Sequence, residues 1–207
     1  MKIIETDDDV AQGTDWLART DPRFVPILAA TGPLPLRRKP DGFATILDAI
    51  TSQQVSVASA AAIWARLQAA NLTEQHRVAA ATEDDLRACG LSRPKIRYAL
   101  AIARTDLDWS ALRHLPDAKV TAHLTALPGI GQWTAEIYLL SALGRADIFP
   151  AGDLALQEAA RLAFDLPDRP TERPMRQMAE AWSPWRAVAA RALWAYYRVH
   201  KNREGIK

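Results

Sequence analysis

Two glycines and one aspartate stand out as residues able to do chemistry. In Leu127-Pro128-Gly129-Ile130-Gly131-Gln132-Trp133-Thr134-Ala135 one helical pattern stops, two glycines bracket an apolar residue, and a second helical pattern starts. Glycine admits positive φ and puts no side chain between the backbone and an approaching ligand. The amides around Gly129 and Gly131, with those opening the next helix, could face a phosphate, because helix starts leave N–H groups unpaired. Ile130 would pack inward between the two helices. The plain alternative is a tight connection that binds nothing. Asp153 follows a Pro150-Ala151-Gly152 turn and opens an apolar helical run. Aspartate there is ordinarily an N-cap. It could also stabilise positive charge developing on a substrate, and the two roles can coexist. Gln53 and Gln54 make a polar break between apolar stretches. His76, His114, His123 and His200 show no metal-ligand pairing at i, i+4. A single cysteine, Cys89, excludes an internal disulfide and any four-cysteine zinc or iron–sulfur site.

The elements that must position these residues read as helices. Phe43, Ile46, Leu47 and Ile50 recur at helical spacing behind Asp41 and Gly42, and Val57, Ala60, Ala61, Trp64 and Leu67 mark a second face. Thr82 with Asp85 resembles a capping box, closed by Gly90. Ser92 followed by Pro94 opens a helix with Ile96, Leu100 and Ala103 on one face. Asp117 is expected to cap a helix over 118–126, residues 128–131 a turn, and 132–143 a helix ended by Gly144. Ser183-Pro184 is expected to start the last long helix, with Val188, Ala192 and Tyr196 on one face. No strand of alternating pattern and no repeat is found. The expected fold class is all-α, with about nine or ten helices. The proline-rich, basic segment 33–40 is the expected link between an N-terminal element and the main body.

Composition sets the outer bounds. A chain of 207 residues, 49% hydrophobic and 24% charged, has the ordinary globular balance. No apolar run approaches the length of a membrane span, and the N-terminus is acidic rather than basic and then apolar. The expectation is a soluble cytoplasmic protein. Net charge is only +2, but it is uneven: residues 1–30 carry three Lys/Arg against six Asp/Glu, and residues 161–207 carry ten against five. A basic C-terminal part could meet a polyanion; a solvated helix surface rich in arginine explains it as well.

The hairpin string resembles the helix–hairpin–helix of the DNA glycosylase (HhH-GPD) superfamily, and more narrowly the alkylpurine glycosylases of the 3-methyladenine DNA glycosylase II type. Three further stretches are similar to that family: Ala49-Ile50-Thr51-Ser52-Gln53-Gln54-Val55-Ser56-Val57-Ala58, Gly90-Leu91-Ser92-Arg93-Pro94-Lys95, and Trp182-Ser183-Pro184-Trp185-Arg186-Ala187-Val188-Ala189 through Leu193-Trp194. The resemblance implies two helical subdomains with the active-site cleft between them, expected here as residues 1–40 plus 160–207 and residues 41–159. It implies that Asp153, which lies 20 residues beyond Trp133, is catalytic. Gly129, Ile130, Gly131 and Thr134 are implied to hold the DNA backbone, and Gln54, preceded by Gln53, to enter the gap left by a flipped base. Trp133 and Trp194 match aromatic positions of the base pocket, and Ile137 stands where a relative has tyrosine. The backbone carbonyls of Thr125, Leu127 and Ile130 match a site for a structural Na⁺ or K⁺; no other cofactor is required, and the iron–sulfur branch is excluded.

Strand-nicking relatives carry a lysine where this chain has Trp133, so the resemblance implies a monofunctional enzyme of base-excision repair that leaves an abasic site. The implied partner is double-stranded DNA with a damaged base, met by a monomer, on the nucleoid if the cell is bacterial. Two alternatives stay open. One is a non-catalytic DNA-binding protein built on the same hairpin, which would not need a carboxylate at Asp153. The other is a glycosylase for oxidised or mismatched bases, against which Trp133 and Trp185-Arg186 argue.

Overall fold

The structure is a computed structural model that describes residues 2–201. Among these residues the chain forms twelve α-helices, one 3-10 turn and a single isolated β-bridge between Ile3 and Arg145. The helices are α1 (Asp7–Thr20), α2 (Phe24–Thr31), α3 (Phe43–Ser52), α4 (Val57–Ala69), α5 (Gln75–Ala80), α6 (Glu83–Ala88), α7 (Arg93–Ala103), α8 (Asp117–Thr125), α9 (Gln132–Ser141), α10 (Leu154–Ala163), α11 (Glu172–Glu180) and α12 (Arg186–Lys201). No described helix is long and apolar enough to cross a membrane.

The chain divides into two compact units, residues 1–38 with 139–207 and residues 39–138. The second boundary therefore falls at 138/139, inside α9, and not at 159/160 as expected. Backbone bonds explain the shift. Ile4 N–H donates to Gly144 O at 2.7 Å, Ala146 N–H to Lys2 O at 3.1 Å, and Ala187 N–H to Ala146 O at 2.9 Å. The segment after α9 is thus tied to the chain's beginning and to the start of α12. Asp153 lies with the terminal helices.

In the first unit α12 is the axis, packed by α1, α2, α10 and α11. Every residue from Ala187 to Ala195 is buried. A helix buried all round needs small side chains, and alanine supplies them with the highest helix propensity. Gly13 of α1 lies so close that a Cβ would stand 2.7 Å from Trp185 Cε3. Trp182 anchors an aromatic cluster, edge-on to Phe24 and Phe149 with ring centroids 5.3 Å from each. Its indole N–H donates to Asp21 Oδ2 at 3.0 Å. The acidic N-terminus has a local cause: Asp7, Asp8 and Asp9 occupy the first turn of α1, and Asp9 completes a capping box with Thr6.

Several basic residues of the C-terminal part are held by partners within the fold. Arg161 pairs with Glu158 at 2.9 Å, Arg176 with Glu172 at 2.8 Å, and Arg186 with Asp147 at 2.6 Å. Arg191 is buried and donates to Leu36 O at 3.2 and 3.1 Å and to Ala187 O at 3.0 Å. Burial, with Arg37 and Arg38 nearby, pushes its pKa down to about 10. Arg191 thereby pins the proline-rich segment in place. These arginines serve the fold, which favours the plain explanation of the charge excess.

In the second unit α3, α4, α5 and α6 pack on one another or on α7, around Ile46, Leu47, Ile50, Leu67, Val78, Leu86, Ile96 and Ile102. The Thr82–Asp85 capping box of α6 forms as expected. Tyr138 is buried, accepts the Gly42 N–H at 2.8 Å, and has its pKa pushed up by that burial to about 12. Two expected helix starts move. Pro116, not Asp117, is the cap of α8, with Asp117 in its first turn. The last helix begins at Arg186, two residues beyond Pro184.

Candidate active site

Asp153 is the N-cap of α10, and it is 6% exposed. Its Oδ1 accepts the N–H groups of Ala155 at 2.9 Å and Leu156 at 3.0 Å, and the indole N–H of Trp194 at 3.2 Å. The cap geometry follows from sequence: the Pro150-Ala151-Gly152 turn closes with Asp153 N–H on Pro150 O at 2.9 Å, leaving Asp153 extended with its carboxylate on the helix start. Trp194 comes from the buried stretch of α12 and is itself 4% exposed. One carboxylate oxygen is therefore fixed by three donors from two helices. This is a preorganised negative charge at the positive end of a helix dipole.

The hairpin joins α8 to α9. Ile130 is buried, and its N–H closes the turn on Leu127 O at 3.2 Å. The two glycines differ. Gly129 has φ +81°, and a Cβ there would run into the ring of Tyr98, whose Cγ would be 2.7 Å away. Gly129 is thus required by the fold. Gly131 has no positive φ, is exposed, and would have open space around a Cβ. The fold leaves the side at Gly131 clear, and the first N–H groups of α9 follow it without intrahelical acceptors. Thr134 is 3% exposed, and its backbone N–H lies in the first turn of α9. Trp133 and Ile137, one turn apart on α9, are both half-buried and share a face.

Gln53 and Gln54 lie in the turn after α3 and have different fates. Gln53 is half-buried, and its Nε2 donates to Gly129 O at 3.1 Å. Gln54 is exposed, with φ +55°. Val55 and Val57, just beyond it, are exposed apolar residues. Trp194 is buried, and its indole N–H is a partner of Asp153. Three participants carry no assigned role in the sequence reading: Lys95, which reaches the carbonyls of the α3 turn, Tyr98 beneath Gly129, and the Trp194–Asp153 bond. A lysine in the first turn of a helix opposes the helix dipole. That misfit is the signal that could have marked Lys95. Among the described residues no group of three or more His, Cys, Asp or Glu is placed to hold a metal ion.

An all-α fold with a glycine hairpin between two helices, and a helix-capping carboxylate beyond it, defines a helix–hairpin–helix protein. The chain belongs to the HhH-GPD superfamily of base excision DNA repair proteins, whose family model matches residues 47–185. It is 27% identical over 96% of its length to the alkylbase DNA glycosidase-like protein mag2 of Schizosaccharomyces pombe, covering 99% of that protein. A Bacillus subtilis relative, the putative DNA-3-methyladenine glycosylase YfjP, is 35% identical over 114 residues, 53% of this chain and only 40% of the relative. In structure the chain is similar to the Schizosaccharomyces pombe 3-methyladenine DNA glycosylase Mag1 in complex with abasic DNA, with a TM-score of 0.79, 27% identity, and coverage of 95% of this chain and 100% of that one.

Proposed function

We propose that this protein is a monofunctional DNA glycosylase that removes alkylated purines, of the 3-methyladenine and 7-methylguanine type, from duplex DNA in base-excision repair. The observation that carries the reading is Asp153, a buried carboxylate with one oxygen held by three N–H donors, in a chain of this superfamily. Hydrolysis breaks the bond from C1′ to the base nitrogen, and the electron pair leaves with the base. Positive charge then builds on the deoxyribose, as in other glycoside cleavages. A carboxylate fixed before the reaction stabilises that charge without reorganising. Water adds at C1′ and gives up a proton, and Asp153 is suited to orient it. Alkylated purines of this type are cationic and leave as neutral bases, so no strong acid is needed at the base. Trp133 in place of an amine leaves no Schiff-base nucleophile there, so the product is an intact strand with an abasic site.

The hairpin suits the phosphate backbone. Gly131 is exposed, with open space where a Cβ would stand, which leaves the backbone there accessible to a phosphate. The carbonyls of Thr125, Leu127 and Ile130 lie at and just beyond the C-terminal end of α8, where the helix dipole favours a cation. Neutral oxygens of this kind fit a singly charged hard cation, which would add positive charge beside the phosphate. The exposed Gln54-Val55-Ser56-Val57 turn suits insertion into the base stack, since apolar and long side chains wedge stacked steps apart.

The test is base release. Purified protein incubated with methylated duplex DNA should liberate 3-methyladenine and 7-methylguanine and leave alkali-labile sites. Binding without release of any base would return the non-catalytic alternative. Release only from duplexes carrying oxidised or mismatched bases would return the other.

A further inference from the structure

The turn between α3 and α4 is held from below by one buried ammonium. Helix α3 ends at Ser52, and a helix end leaves its last carbonyls without intrahelical donors. Lys95 Nζ donates to two carbonyls there, Thr51 O at 2.8 Å and Gln53 O at 2.6 Å. Lys95 is 9% exposed, between the core residues of α7. Burying an ammonium is costly unless it is compensated, and burial pushes its pKa down. Packing alone would be better served by an apolar side chain of that length. What the charge adds is a double anchor on the carbonyl end of α3, where a cation is favoured.

Just beyond the two anchored carbonyls the backbone does something unusual. Gln54 is not glycine, yet it takes φ +55°. That left-handed conformation is unfavourable for a side-chain-bearing residue and persists only where the surroundings over-determine it. The surroundings here are Lys95 on the preceding carbonyls, the Gln53 side chain on Gly129 O at 3.1 Å, and Ser56, whose Oγ caps α4 through Ser59 N–H at 3.2 Å. Helix α7 also carries Tyr98, the ring on which Gly129 sits. One helix thus supports both the Gln54 turn and the hairpin.

We infer that Lys95 is a positioning residue: it clamps the carbonyl end of α3, with Gln53 as the lateral tie to the hairpin, so that Gln54 is presented outward for insertion into the duplex. This rests on the reading of Gln54 as the residue that fills the gap of the flipped base. The clamp acts before DNA arrives, so the entropy of ordering the turn is not charged to base flipping.

The experiment compares Gln54→Ala, Lys95→Met, Gln53→Ala and the Lys95→Met/Gln54→Ala double variant. The readout is the ratio of single-turnover rates for one lesion in a fully paired duplex and in a single strand. A merely structural defect lowers both rates together and leaves the ratio alone. The expected result is a ratio about tenfold or more lower in each single variant, because flipping from a stable duplex costs the most. The double variant should fall no further than the worse single, since Lys95 acts through Gln54. An unchanged ratio in Lys95→Met and Gln53→Ala, or additive losses in the double variant, would overturn the inference while a lowered ratio in Gln54→Ala leaves the wedge intact. An unchanged ratio in Gln54→Ala would overturn the wedge and the inference with it. If Lys95→Met does not melt cooperatively, Gln53→Ala, which alters only a half-buried side chain, decides by the same ratio.

Discussion

The indole N–H of Trp194 donates to Asp153 Oδ1 across 3.2 Å, joining the buried axis of the terminal unit to the cap of α10. The bond makes the tryptophan a positioner of the carboxylate. Trp194→Phe keeps an aromatic ring and removes the donor. A hydrogen bond to a charged group contributes about 1.5–3 kcal/mol, so base release should slow by about tenfold or more. Steady-state kinetics on 7-methylguanine duplex should show the loss in kcat, with KM nearly unchanged. A raised KM at constant kcat would make Trp194 a wall for the base instead.

Asp153→Asn separates the cap from the charge. Asparagine caps helices about as well as aspartate, so α10 should survive and the melting temperature should move little. The fixed negative charge disappears. Base release should fall at least about a hundredfold, the scale seen when one preorganised electrostatic group is removed, while affinity for abasic-site duplex is retained. Single-turnover release and fluorescence anisotropy check the two halves separately. Near-normal release would remove Asp153 from the chemistry.

Abasic sites should accumulate intact. With Trp133 where an amine nucleophile would stand, borohydride added during turnover should trap no covalent protein–DNA complex, and breaks should appear only after alkali. A trapped complex on denaturing gels would reveal a lysine nucleophile elsewhere.

Glu158, on α10 with Asp153, gives a pH prediction. Its carboxyl is held down at about 2 by hydrogen bonds from Arg161 and by the charges of Arg161 and Lys201. The folded pKa lies below the unfolded value of about 4.3, so between the two the unfolded chain binds more protons and stability rises with pH. The contribution is complete above about pH 5 and is lost as pH falls toward 2. The melting-temperature difference between wild type and Glu158→Gln should be constant at neutral pH and shrink on acidification.

Much of this was legible in the residues, and the failures have common physical causes. The all-α class, the α6 capping box and the α8–α9 turn follow from local signals, so they are read directly. Asp153 was visible as a cap for the same reason. The division of the chain was not, because residues 139–159 are claimed by backbone bonds to Lys2 and Ile4, far away in sequence. The start of α12 lies later than Ser183-Pro184 suggests, because a turn closed by Trp185 N–H on Trp182 O occupies those residues. Lys95 was seen only as part of a segment, since its partners, the carbonyls of Thr51 and Gln53, have no side-chain signature. The burial of Thr134 and Trp194 is set by tertiary packing, which leaves no local signal in the sequence.

The two hairpin glycines should fail in different ways. At Gly129 the fold itself objects: φ is +81°, and any Cβ meets the Tyr98 ring. Gly129→Ala should therefore destabilise the protein by at least about 1–2 kcal/mol, the cost of the left-handed conformation alone, with the ring displacement added. At Gly131 the fold is indifferent, since a Cβ would meet nothing and φ is ordinary. Gly131→Asp should melt within about 0.5 kcal/mol of wild type, as surface substitutions do. Its added charge would stand where a phosphate is to approach, so affinity should fall for damaged and undamaged duplex alike, because backbone contacts carry no sequence or lesion information. Thermal melts and anisotropy titrations at fixed salt distinguish the two variants. A Gly131→Asp variant that binds undamaged duplex normally but loses lesion binding would move the hairpin off the backbone and into the base pocket.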